Sequence, residues 1–167
     1  MLGQKFLAIL GRLVLVEHGP GLGVLHHSPH EFGSIGKVSL GLPELFREEI
    51  KKTKLVANPG CYTTAVPLAL VPALEKGYIE TTGIIANCAS GVTGAGRKPA
   101  QNSHYPELNE GMSAYKVACH RHTPEIEQTL SKISGEKMHI TFVPHLLPVN
   151  RGILATCYAK LKPGVTE

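Results

Sequence analysis

Three short stretches of this chain carry the residue types that reactions need. Asn58-Pro59-Gly60-Cys61-Tyr62 sets a cysteine between a short apolar strand, Leu55-Val56-Ala57, and a helix expected over residues 62–76. The unpaired N–H groups and positive dipole end of such a helix start favour a thiolate. The same amides would stabilise an oxyanion on a carbon that the sulfur attacks. On spacing alone Cys61 reads equally as a nucleophile and as a small buried hydrophobe, the commoner fate of a free cysteine. The second stretch, Cys119-His120-Arg121-His122-Thr123-Pro124-Glu125, packs two imidazoles, a guanidinium and a carboxylate into seven residues. One imidazole could act as base toward Cys61 and as acid toward a substrate oxygen. Arg121 offers a planar fork for phosphate or carboxylate. A metal site of Cys119, His120 and His122 competes with this reading, but no second ligand cluster stands at ordinary metal-site spacing. The third, Ser90-Gly91-Val92-Thr93-Gly94-Ala95-Gly96-Arg97-Lys98, combines glycine N–H groups, hydroxyls and two cations that could hold an anion. Its alternative is a plain surface turn. Asn102, His104, Tyr105, Glu107 and Asn109 follow in a polar run that could line a pocket or lie on the surface.

The elements that must position these groups begin near residue 41. Leu42-Pro43-Glu44-Leu45 leads into a short surface helix from Phe46 to Lys54, then the strand at 55–57. In the helix expected over 62–76, Val66, Leu70 and Ala73 share one face and Gly77 is the stop, with Pro67 and Pro72 bending or interrupting it. Gly83 to Ala89 has strand character. A second helix starts at Thr123-Pro124, with Thr123 as N-cap, Ile126, Leu130 and Ile133 on one face, and Gly135 as the stop. Residues 139–143 and 152–161 read as strands, the latter by the alternation of Ile153, Ala155, Cys157, Ala159 and Leu161 with more polar residues. Strands and helices interleaved without regular βαβ spacing predict an α+β domain with a largely antiparallel sheet. Residues 1–38 differ in texture, with scattered Gly, His and Pro, and read as a poorly specified lead-in to a domain at 39–167.

The 167 residues, 43% apolar, can bury one core. A net charge of +4 fits anionic small molecules better than nucleic acid, and 5% aromatics without Trp give no base-stacking platform. The cysteines at 61, 88, 119 and 157 form no CxxC pair and read as free thiols of a reducing compartment. The apolar run at 1–16 has Lys5 ahead of it like an export leader, but Arg12 interrupts it and no small-residue cleavage site follows. No apolar stretch is long enough to span a bilayer. Neither glycine cluster fits a dinucleotide fingerprint: Gly19 to Gly23 lies among prolines and histidines, and Gly91 to Gly96 leads to Arg-Lys-Pro.

GLPEL at 41–45, ANPGCY at 57–62, SGVTGAGRK at 90–98, HRHTPEIEQ at 120–128 and RGILAT at 151–156 together resemble the N-acetyl-gamma-glutamyl-phosphate reductase family of arginine biosynthesis. The resemblance covers residues 40–167. It implies a fold like the glyceraldehyde-3-phosphate dehydrogenase C-terminal domain, with helices on one face of the sheet. It also implies a cytoplasmic oxidoreductase that works on an acyl phosphate and forms homo-oligomers through that sheet. Cys61 would displace phosphate to form a thioester, which NADPH reduces to the semialdehyde, and His120 would be the acid/base. Ser90, Gly91, Arg121, His122 and Glu125 would surround substrate or phosphate. Cofactor residues stay unassigned, because the family's amino-terminal GxxGxxG region has no counterpart here and the NADP would be held mainly by a domain outside this chain. The family's carboxy-terminal segment is also expected beyond Glu167. Thr63 stands where Pro is usual, and Cys119 where Gly is usual. A lysine-pathway reductase of aminoadipyl phosphate has a similar layout. The competing classes are a non-catalytic assembly module and, third, a metal-dependent hydrolase.

Overall fold

The computed structural model describes residues 6–13, 38–53 and 55–166, which group into two compact units. Unit 2 spans Val16–Gly60 and unit 1 comprises Met1–Leu15 with Cys61–Glu167. In unit 2, β2 (Val38–Leu40) and β3 (Leu55–Ala57) pair in parallel, with α1 (Pro43–Ile50) between them in sequence. α1 begins earlier than the expected Phe46, because Pro43 occupies the first helical turn, where a missing N–H costs nothing. Phe46 is its buried apolar residue, and Leu42, at its N-cap, is buried as well.

Unit 1 is built on a five-stranded sheet. Its strands are β1 (Phe6–Leu13), β4 (Ile84–Gly91), β5 (Ser113–Ala114), β6 (Ile140–Leu147) and β7 (Ile153–Lys160), in the order β1-β7-β4-β6-β5. Three of the four pairings are antiparallel and β4–β6 is parallel, so the mixed α+β reading with a mostly antiparallel sheet holds. Residues 6–13 of the supposed lead-in are an ordered edge strand, from Phe6↔Lys160 to Leu13↔Ile153, and the rest of residues 1–37 lie outside the described residues. β6 runs past Pro144, beyond the expected end at 143, because its register with β4 continues to Gly91↔Leu147.

Two helices cover one face. α2 (Cys61–Glu75) packs on β1 and β7, α4 (Thr123–Ser134) packs on β6, and the helices pack on each other. The inward positions Ala86, Cys88, Phe142, Leu146, Ala155 and Cys157 meet Val66, Leu70, Ile126 and Leu130 in the core, all buried. α2 stays one helix through Pro67 and Pro72, so neither proline interrupts it. An internal proline costs a helix about 3 kcal/mol. Here burial of Tyr62, Ala65, Val66, Leu70 and Val71 offsets that cost, at about 1.5–3 kcal/mol for each large apolar side chain. α4 ends as expected at Gly135, in the left-handed conformation, but its N-cap is His122 and no side chain caps it. The outward face keeps Ile85, Leu154 and Tyr158 exposed.

Candidate active site

Cys61 is the first residue of α2 and is half-buried. Burial dominates its ionisation and pushes the thiol above its ordinary value, while the Cys61 and Tyr62 N–H groups and the Arg121 charge pull it back and Glu125 adds to the rise. The helix start therefore does what the sequence indicated, but desolvation outweighs it. The resting group is a thiol at neutral pH rather than the expected thiolate. Its two neighbouring charges identify the facing segment as the one that runs into α4.

That segment places His120 and His122 under cover, 8% and 7% exposed, while Cys119 and Arg121 are exposed. Among the described residues no three His, Cys, Asp or Glu side chains gather closely enough to hold a metal ion. His120 sits in an aromatic cluster, edge-on to Tyr62 at 5.5 Å, Phe142 at 5.3 Å, Tyr115 at 5.7 Å and the His122 ring at 4.8 Å. The His122 backbone N–H donates to His120 Nδ1 at 3.1 Å. Burial, then the Lys116 and Arg121 charges, holds the His120 imidazole below its ordinary value, so it is neutral at pH 7.

Tyr62 and Tyr115 were not singled out in the sequence, yet their hydroxyls share a 2.8 Å hydrogen bond beside these rings. Desolvation raises both phenols. Tyr115 is fixed by its own N–H, which donates to the Pro144 carbonyl at 3.0 Å. Its only sequence signal was an aromatic five residues before His120, which does not distinguish it from a surface tyrosine. Glu125 lies in the first turn of α4.

The glycine-rich stretch turns out differently. Ser90 ends the buried face of β4 and its hydroxyl donates to the Gly91 carbonyl at 3.0 Å. The N–H groups of Gly91, Val92 and Thr93 donate to the carbonyls of Gly152, Val149 and Asn150 at 3.0, 2.9 and 3.2 Å, and that of Gly96 donates to Thr93. Those amides are spent within the fold, so the anion-holding reading of their N–H groups fails. Gly91 has a packing reason, since a Cβ there would stand 2.6 Å from the Arg151 backbone nitrogen. Arg97, Lys98, Asn102, His104, Tyr105, Glu107 and Asn109 are exposed.

Residues 61–167 match the family described as "Semialdehyde dehydrogenase, dimerisation domain". An N-acetyl-gamma-glutamyl-phosphate reductase of Clostridium kluyveri is 56% identical over 122 residues, 73% of this chain and 36% of the relative. One from Magnetococcus marinus is 52% identical over 143 residues, 86% of this chain and 40% of the relative. Aspartate semialdehyde dehydrogenase II from Vibrio cholerae shares the fold at TM-score 0.59 and 16% identity, over 77% of this chain and 45% of that structure. The chain thus spans less than half the length of these relatives.

Proposed function

The chain belongs to the semialdehyde dehydrogenase dimerisation-domain family, and on that footing we propose that it carries the catalytic half of an NADPH-dependent N-acetyl-gamma-glutamyl-phosphate reductase. The observation that carries this reading is the placing of Cys61, at the start of α2, within the electrostatic reach of Arg121 and Glu125 from the segment that holds His120. Relatives 50–60% identical with that name favour the arginine-pathway substrate over aminoadipyl phosphate.

In the proposed step the sulfur attacks the acyl carbon, a C–S bond forms and the C–O bond to phosphate breaks. The thiol proton leaves on the departing phosphate, and a thioester remains on Cys61. Arg121 would hold the phosphate, and His120 would face the substrate oxygen, with Ser90, Gly91, His122 and Glu125 forming the surround. NADPH would supply the hydride that reduces the thioester. The described residues do not fit that cofactor: Gly91 to Gly96 spends its amides on backbone carbonyls and leads to no helix, so no cofactor residue is assigned. Four free cysteines support a reducing, cytoplasmic setting.

The exposed sheet face of Ile85, Leu154 and Tyr158 and the match to a dimerisation domain support association with a second copy through that face. Leu154→Asp is expected to give a monomer in analytical ultracentrifugation, and an unchanged mass would remove this part of the reading.

The catalytic reading is tested without cofactor. Incubation with acetyl phosphate, a minimal acyl phosphate, is expected to add one acetyl group at Cys61 by intact-mass spectrometry, and none in Cys61→Ser. Equal labelling of both chains would refute Cys61 as nucleophile.

A further inference from the structure

The outward face of the sheet holds a polar group that a single chain leaves unsatisfied. Asn87 stands midway along β4, the central strand of the five. Across the ladders it is opposite Thr156 on β7 and Val143 on β6, and along β4 it shares the outward face with Ile85 and Ala89. Ile85 is opposite Tyr158 and Ala89 is opposite Leu154, so the exposed apolar residues Ile85, Tyr158 and Leu154 flank it above and below. Among the described residues, Asn87 Oδ1 is buried and accepts no hydrogen bond. His145 Nδ1, on β6 opposite Ala89 and one row away, is buried and unpartnered in the same way. Polar atoms taken from water without a partner are costly, and nearly all in folded proteins find one. Asparagine is also disfavoured in mid-strand, so local propensity gives no reason for its place here.

We propose that Asn87 lies at the two-fold axis of the dimer, where its carboxamide pairs with its counterpart in the second copy and fixes the register of the two sheets. The inference rests on the reading that two copies associate through this face. An isologous interface applies one patch to itself, so a residue at the patch centre meets its own counterpart. A charged side chain would be repelled there. A carboxamide carries an acceptor and donors on one group, and two of them set head to tail exchange N–H···O=C bonds in both directions. Sheets packed face to face stand about 10 Å apart, a gap that two asparagine side chains can bridge. Turning Oδ1 toward the second copy needs only rotation about χ2, a broad torsion. Ile85, Leu154 and Tyr158 then supply the apolar area, and the amide pair selects the alignment. Any slipped arrangement would press both carboxamides against hydrocarbon without partners. A single polar residue in an apolar coiled-coil seam sets register by the same logic.

Crosslinking tests this on the whole chain, in a Cys119→Ser background that removes the exposed thiol. Asn87→Cys, treated with a short bis-maleimide, is expected to give a covalent dimer whose linked peptide joins residue 87 of both copies. Thr141→Cys is the control, exposed on the same face one strand over and one row away from Asn87. With the axis at Asn87 its two copies would stand about 16 Å apart by strand and residue spacing, beyond the reagent, and no link is expected. Analytical ultracentrifugation of the same samples separates the outcomes. A dimer that does not link at 87, or that links as readily at 141, would overturn the placing of the axis and leave the dimer standing. A monomeric parent would remove the association reading and this proposal with it. Asn87→Asp sets two carboxylates together and removes both donors, so its dimer is expected to be about 10²-fold weaker. An unchanged dimer constant would show that residue 87 does not meet its counterpart.

Discussion

The turn at Gly91 to Gly96 and the segment from Lys116 to His122 both look like anion sites in sequence, one for its glycines and the other for its histidines and arginine. The first consumes the N–H groups of Gly91, Val92 and Thr93 on the carbonyls of residues 152, 149 and 150 and so joins β4 to the β6–β7 turn. The second spends the His122 N–H on a side chain, and so fixes an imidazole ring. A motif's polar groups are available to a ligand only if the fold does not use them first.

The sharpest way to break this contrast is to strain the first region. Gly91→Ala places a Cβ 2.6–2.8 Å from the backbone of Asn150 and Arg151, neither of which is the far end of a flexible side chain. A loss of about 1–3 kcal/mol in urea unfolding is expected, the cost of overpacking. An unchanged midpoint would mean that the turn has room for a side chain. Tyr115→Phe probes the second region by deleting one hydroxyl of the 2.8 Å pair. About 1 kcal/mol is expected in the same assay, together with broadened His120 resonances as the ring loses its support. Sharp, unmoved resonances would show that the tyrosine pair does not hold the ring.

A smaller effect comes from pH. The folded His120 binds its proton below the ordinary value of about 6.5, so as pH falls the unfolded chain takes up that proton first. The contribution to stability is present above about pH 6.5 and is lost as pH falls through the lower, folded value. His120→Gln should flatten that part of the stability profile, and an identical acid limb would show that His120 titrates normally. Smallest of all, Arg97→Ala and Lys98→Ala, at exposed positions, are expected to stay within about 0.5 kcal/mol of the parent. Slowed Cys61 labelling in either would restore the glycine-rich stretch as an anion site.

Local chemistry explains which parts were legible in the sequence. α4 was readable because Pro124 starts it, Gly135 stops it and Ile126 and Leu130 share a face. β7 was readable from a strict period of two, seen as the alternating burial of Ile153 to Lys160. α2 was only partly readable, since Pro67 and Pro72 argue locally for a break that packing overrides. β1 was missed because its partner residues in β7 lie 140 or more positions away in sequence, from Leu13↔Ile153 to Phe6↔Lys160, and no local pattern records such a pairing. At the site, Cys61 and His120 stood out by spacing, but the balance of burial against helix dipole and the tie between Tyr62 and Tyr115 depend on contacts across the fold. The thiolate expectation failed for that reason.

The most direct measurement is the iodoacetamide alkylation rate of Cys61 against pH, in the parent chain and in His120→Gln. The expected midpoint lies above the ordinary thiol value of about 8.5 and does not move with the substitution, because a desolvated thiol faces a neutral ring. A midpoint well below that value, rising when His120 is replaced, would demonstrate a thiolate–imidazolium pair and contradict the site described for this chain.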